Sequence, residues 1–242
     1  LPFFVSLFFQ KYTMRYQFVF FLLISSFFSY SQEISSITVL DSLYREDQFY
    51  FNFSYASSSN TPEGFRQIKF SPGFALGFVR DMPVNKTRTV SVALGLGYSF
   101  AAYNQNLNIA TTDSGAAYTI MNDESSFSKN KLSLHYLDVP IEIRWRSSNP
   151  ESHKFWRIYT GFKLSYLIAD QYKIESEFYN YKQKNNQGLN KWSYGPYLSA
   201  GWNTWNAYFY YGLSPLFDSS VKISNQNSKM NSVNFGLMFY IL

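Results

Sequence analysis

The chain reads as an all-β protein, an eight-stranded antiparallel transmembrane β-barrel. Three observations predict that class. Eight segments alternate large apolar residues with small or polar ones, the connections between them alternate short and long, and the composition is aromatic-rich and charge-poor. Of the 242 residues 21% are aromatic, with 25 Phe and 21 Tyr, and only 15% are charged. A soluble domain carries about 25% charged residues, yet a mean hydropathy of −0.22 is too polar for a bundle of membrane helices. A barrel reconciles the two values, because half of its strand residues face lipid and half face a polar interior.

The clearest strand runs from Val90 to Phe100. Val90, Val92, Leu94, Leu96, Tyr98 and Phe100 share one face, and Ser91, Ala93, Gly95, Gly97 and Ser99 the other. A soluble sandwich also alternates, but its outer face is charged; here it is Ser, Ala and Gly, which suit the inside of a narrow barrel. Seven further segments repeat the pattern: Phe49–Tyr55, Gly73–Phe78, Leu137–Trp145, Trp156–Ile168, Trp192–Trp202, Trp205–Leu213 and Val233–Ile241. An even number is what single-chain bacterial barrels require.

The connections sort by length. Short ones lie around Met82–Thr87, Ser147–Lys154 and Asn203–Thr204, and long polar ones around Ser57–Lys69, Asn104–Asn130, Gln171–Asn190 and Phe217–Lys229. That is the asymmetry between periplasmic turns and extracellular loops. Trp145 and Trp156 flank the second short turn, and Trp202 and Trp205 the third, all on the face assigned to lipid. Indole prefers the headgroup boundary, so these four predict a periplasmic aromatic girdle.

From Met14 the chain shows a basic n-region with Arg15, an apolar run from Phe18 to Phe28, and small residues Ser29 and Ser31 ahead of Gln32. This is the pattern of a cleavable secretory signal peptide. The run is too short to cross roughly 30 Å of hydrocarbon as a helix. Residues 1–31 are therefore expected to be an upstream extension plus signal peptide starting at Met14, 32–47 a short periplasmic segment, and 48–242 the barrel. Asp41 could cap a short helix in that segment, or the segment could be an unstructured tether. The N-terminus is expected to be periplasmic.

The formal charge of +5 falls to +3 without Lys11 and Arg15, leaving 19 basic against 16 acidic residues and no basic cluster of the kind nucleic acid requires. The absence of Cys excludes disulfides and thiolate chemistry. Inward positions include Asp138, Glu142, Arg144, Arg157 and Lys163, which are expected to neutralise one another as a lumen network; a selective pore is the alternative, but wide channels need about 16–18 strands. His135 lies near Ser133 at the far rim, yet no third group completes a catalytic set, and His153 sits in a short turn. Asp113, Asp123 and Glu124 match no cation-loop spacing. The reading is a non-enzymatic protein with no cofactor or metal, with outer-membrane lipid as its surroundings.

The last strand, Asn234-Phe235-Gly236-Leu237-Met238-Phe239-Tyr240-Ile241, resembles the signal read by barrel-assembly machinery, with Asn234, Gly236, Phe239 and Ile241 at its key positions. It presents a strand edge for pairing with another sheet. Tyr136-Leu137-Asp138-Val139-Pro140-Ile141 resembles the proline-interrupted strand of the PorT-like outer-membrane β-barrel family. Phe74-Ala75-Leu76-Gly77-Phe78, Leu94-Gly95-Leu96-Gly97-Tyr98 and Tyr159-Thr160-Gly161-Phe162 are similar to its Gly-aromatic strands. The resemblance spans roughly Phe49 to Leu242. It implies a small barrel and an accessory role in an envelope complex such as type IX protein secretion, with secretion components as partners. A narrow porin-like or ligand-binding barrel, and a rim-sited lipid-modifying enzyme, are the alternatives.

Overall fold

The computed structural model describes residues 47–112, 115–122, 127–147, 155–177, 180–227 and 229–241. The expected signal peptide, the segment 32–46 with Asp41, His153 and the loop acids Asp113, Asp123 and Glu124 lie outside the described residues.

The described chain forms thirteen strands: β1 (Gln48–Ser59), β2 (Pro72–Pro83), β3 (Val90–Asn104), β4 (Leu107–Thr112), β5 (Gly115–Ile120), β6 (Lys129–Arg146), β7 (Trp156–Glu175), β8 (Asn180–Lys184), β9 (Trp192–Trp202), β10 (Trp205–Pro215), β11 (Lys222–Ile223), β12 (Gln226–Asn227) and β13 (Asn231–Ile241). Eight of them, in the order β6-β3-β2-β1-β13-β10-β9-β7, form an antiparallel sheet that closes on itself through β6 and β7. All eight segments expected from the alternation are strands of this ring. Closure leaves no open edge among its strands, which is what a sheet in lipid requires. Carrying the pair registers once round the ring displaces the chain by about ten residues, which sets a strand tilt of roughly 40°.

The alternation is realised as inside and outside. Phe49, Leu96, Ile143, Ile158, Leu213 and Ile241 are exposed on the outer face, whereas Tyr50, Ala93, Tyr159, Tyr208 and Met238 are buried in the lumen. No described helix is long and apolar enough to cross a membrane. Pro140 lacks the N–H a rung needs. The β3–β6 register accordingly skips two pairs beside it, resuming unchanged at Leu94↔Ile141 and Gly97↔Asp138. Gly95 makes room for its ring: a Cβ there would meet Pro140 Cγ at 3.0 Å and Phe78 O at 2.5 Å.

The long connections depart from expectation. Three of the four, expected as polar loops, carry strands instead. β4 and β5 form a hairpin, β11 and β12 another, and Ile223 pairs with Tyr118 to join them in a second sheet, β12-β11-β5-β4. β8 adds to the upper part of β7 at residues 171–175, above the stretch of β7 that pairs with β9. β6 and β7 are also longer than the alternation indicated. A bulge at the His135/Tyr136 step, opposite the extra residue Ile168, shifts the phase of β7, so that odd-numbered residues point outward above it. These pieces share a core containing Tyr103, Leu107, Ile109, Tyr118, Leu132, Leu134, Tyr172, Phe217, Ile223 and Met230.

Candidate functional site

Two regions concentrate buried polar chemistry or folded surface: the lumen and the cap over its long-loop end. In the lumen, Glu142 and Arg144 lie two residues apart on β6 and therefore point the same way. Arg144 Nε donates to Glu142 Oε2 at 2.5 Å, and Tyr197 Oη donates to Glu142 Oε1 at 2.5 Å. Lys163 Nζ stands 3.4 Å from Asp138 Oδ2 and 4.5 Å from the Tyr210 ring centroid, while Ser165 Oγ donates to Asp138 Oδ1 at 2.6 Å. Four of the five expected lumen charges are thus gathered into two ion pairs.

Arg157 is the exception and corrects the expectation of one neutralising network. Its guanidinium donates to the Asn203 carbonyl and lies 4.4 Å over the Phe155 ring, with no acid in ion-pair range among the described residues. The position explains this: Arg157 sits at the start of β7 beside the 203–204 turn, where a carbonyl is nearer than any carboxylate. Two members were missed. Asp81 Oδ2 accepts from Arg146 Nη1 at 2.8 Å, its Oδ1 lies 3.4 Å from Arg144 Nη1, and Ser91 Oγ donates to it at 2.6 Å. Asp81 and Arg146 are both fully buried. Extending the alternation of β2 and β6 by a few residues identifies both, since Asp81 follows Gly77 and Val79, and Arg146 follows Glu142 and Arg144, on the inward face.

Two cavities in the lumen are small. One cavity beside Lys163, lined by Asn52, Ser54, Ser165, Ser193 and Asn234, holds about 30 Å³. A second, between Tyr50, Asp138, Glu142 and Tyr197, holds about 20 Å³. Each volume suits about one or two waters. Below them Arg144 lies 4.5 Å over the Tyr159 ring, which packs edge-on against Tyr240 at 5.1 Å.

At the long-loop end, the cap core continues inward to Ala56, Ala101 and Leu134 of the ring strands. Asn106, fully buried, ties three connections together: its Nδ2 donates to Gly64 O at 2.9 Å and Met121 O at 3.1 Å, and its Oδ1 accepts from Arg66 N at 2.8 Å. Asn190 Nδ2 likewise donates to Pro215 O and Phe217 O. Tyr118 packs edge-on against Phe217 at 5.2 Å and donates its hydroxyl to Gln187 O. Burial, and then the Asp170 carboxylate, push that phenol up to about 12.

The four expected girdle tryptophans, Trp145, Trp156, Trp202 and Trp205, all point outward at the short-turn end. Trp156 packs edge-on against Trp202 at 5.4 Å. A second aromatic belt lies at the other end, with Tyr98, His135, Tyr166 and Trp192; Tyr166 meets Trp192 at 4.9 Å. On β6, β7 and β9 the belts are about ten residues apart, at Trp145 to His135, Trp156 to Tyr166 and Trp202 to Trp192. At ~3.3 Å per residue and a tilt near 40°, that separation is roughly 25 Å, the height of an outer-membrane apolar band. His135 Nδ1 lies 2.6 Å from Tyr98 Oη, and no hydrogen bond joins it to Ser133 among the described residues.

In the last strand, Phe239 and Ile241 face outward, Phe239 packing 5.2 Å from Trp205, while Asn234 and Gly236 belong to the inward set. β13 pairs with β1 on one side and β10 on the other, so it completes the ring. Both ends of the barrel chain, Gln48 and Ile241, lie at the short-turn end.

A comparison with curated proteins finds no match. Among solved structures, the chain is similar to Ail, the attachment invasion locus protein of Yersinia pestis, at 15% identity and a TM-score of 0.36, covering 81% of this chain and 99% of that one. The family model described as outer membrane protein beta-barrel domain matches residues 30–218. The chain, a small outer-membrane β-barrel, belongs to that family.

Proposed function

We propose that this barrel is a non-enzymatic anchor that holds the folded cap at the outer surface as a docking platform for an envelope complex. In this reading the short turns and both barrel ends lie on the periplasmic side. The complex is one such as type IX protein secretion, the role implied by the resemblance to PorT-like barrels. The observation that carries the reading is the filled axis. Paired charges and tyrosines occupy the lumen, and an apolar core sits above them, so the ordered surface is in the loops. Loops held by a rigid scaffold are where binding residues concentrate.

Crosslinking in native membranes followed by pull-down tests this. Recovery with secretion components supports the reading. A lone monomer at every crosslinker length, together with normal secretion in a deletion strain, contradicts it.

A further inference from the structure

Above the second aromatic belt, the outer face of β6, β7 and β8 carries a row of like charges. Lys131 on β6 pairs with Lys173 on β7, and Lys173 pairs with Lys182 on β8. Three lysines therefore stand directly opposite one another on three adjacent strands, rooted within about 10 Å. Lys129 and Lys184 flank them on the same face, two residues along their strands on either side. The countercharge is Glu175, which bonds Lys173 and lies 3.8 Å from Lys129. It leaves Lys131, Lys182 and Lys184 without an ion-pair partner among the described residues. Asp170, the other acid of β7, points inward and accepts from Asn186 N.

Like charges placed directly opposite destabilise a strand pair. A bound anion removes that cost. Lys131 lies four residues beyond His135, roughly 10 Å above the aromatic boundary on a tilted strand, at headgroup level. Beneath the row, Leu137, Tyr166 and Ile168 are exposed on the apolar outer face. Cationic row above and apolar surface below match a lipid whose phosphates sit over its acyl chains.

We propose that Lys131, Lys173 and Lys182 form a binding site for the phosphates of a saccharolipid of the outer leaflet. A headgroup carrying two phosphates spans the row as a single phosphate does not. The leaflet rests on the orientation proposed above, which places the long-loop end outward.

The test uses the full chain refolded in detergent micelles, with folding verified by its gel shift on heating. Binding is read by native mass spectrometry against diphosphorylated lipid A, the same lipid dephosphorylated, phosphatidylglycerol and inorganic phosphate. Wild-type protein is expected to bind the diphosphorylated lipid most tightly. Lys131→Gln/Lys173→Gln/Lys182→Gln is expected to bind it on the order of 10- to 100-fold more weakly. Lys86→Gln, in a short turn at the opposite end, is expected to bind as wild type. Should the triple variant lose its heat shift, Lys182→Gln alone, on the short strand β8, takes its place with a loss of several-fold. Triple-variant binding within two-fold of wild type overturns the proposal, as does equal binding of the dephosphorylated lipid. Equal binding of phosphatidylglycerol, or full competition by equimolar inorganic phosphate, overturns the choice of lipid. A wild-type chain with no heat shift instead contradicts the barrel, and a folded chain without phosphate-dependent binding contradicts only the site.

Discussion

Asp81→Asn probes the part of the lumen with most at stake. Asp81 is fully buried, its two oxygens face Arg146 at 2.8 Å and Arg144 at 3.4 Å, and Ser91 donates to it. Removing the charge leaves two guanidiniums in a low-dielectric interior, and breaking a buried pair from one side costs about 3–5 kcal/mol. Arg144 keeps Glu142 at 2.5 Å, and Arg146 keeps a bond from Nε to the Arg88 carbonyl, so the lower end, about 3 kcal/mol, is expected. Replacing both partners is milder, because no uncompensated charge remains. Asp81→Leu/Arg146→Met is expected to cost less than half the sum of its single variants. The assay is urea unfolding of vesicle-refolded protein, followed by tryptophan emission and the heat-shifted band. With a slope of ~2–3 kcal/mol per molar urea, Asp81→Asn moves the midpoint by roughly 1 M. A shift under about 0.3 M, or full additivity in the double variant, refutes the view that this network holds the lower lumen.

The cap and the last strand give further tests. Phe217→Ala removes a ring from the centre of the cap core and is expected to cost about 3–5 kcal/mol locally. Hydrogen exchange should then rise in β4, β5 and β11 while the heat shift persists; a lost heat shift means that cap and barrel unfold together. Tyr118 ionises at about 12 in the fold against an ordinary value of 10.0. Because the folded cap disfavours the phenolate, its stability is intact below pH 10 and declines as pH rises from 10 toward 12. Amide protection across β5 should follow that decline, and Tyr118→Phe should flatten it. Phe239→Asp puts a charge on the lipid face beside Trp205 and in the strand that completes the ring. It is expected to abolish the heat-modifiable species in membranes, and normal assembly contradicts the role given to that strand.

Much of the barrel was legible because period-two alternation is local and the turns were marked. Trp145 to Trp156 and Trp202 to Trp205 bracket short links, and Gly, Ser and Ala opposite large apolar residues told a lumen from a core. The cap was not legible. β4 and β5 are six residues each, and the link to β11 joins Tyr118 to Ile223 across more than a hundred residues, which no local pattern carries. The upper part of β7 was hidden by the bulge at Ile168, which reverses the phase on which the strand had been recognised. Asp81 and Arg146 are within reach by extending two alternations, whereas Arg157 faces inward as its alternation indicates but finds a backbone carbonyl, not a carboxylate, as its partner. The lysine row needed the register of three strands at once. Lys131, Lys173 and Lys182 are scattered in sequence and adjacent only when β6, β7 and β8 are paired.

The filled axis is what separates an anchor with a folded cap at its long-loop end from a channel. Protein whose heat shift confirms folding should be reconstituted in liposomes and assayed for efflux of small sugars and ions. Flux indistinguishable from empty liposomes is the result expected of a lumen closed by paired charges, tyrosines and the cap core. Steady solute flux at single-barrel protein levels contradicts it and returns the function to the lumen.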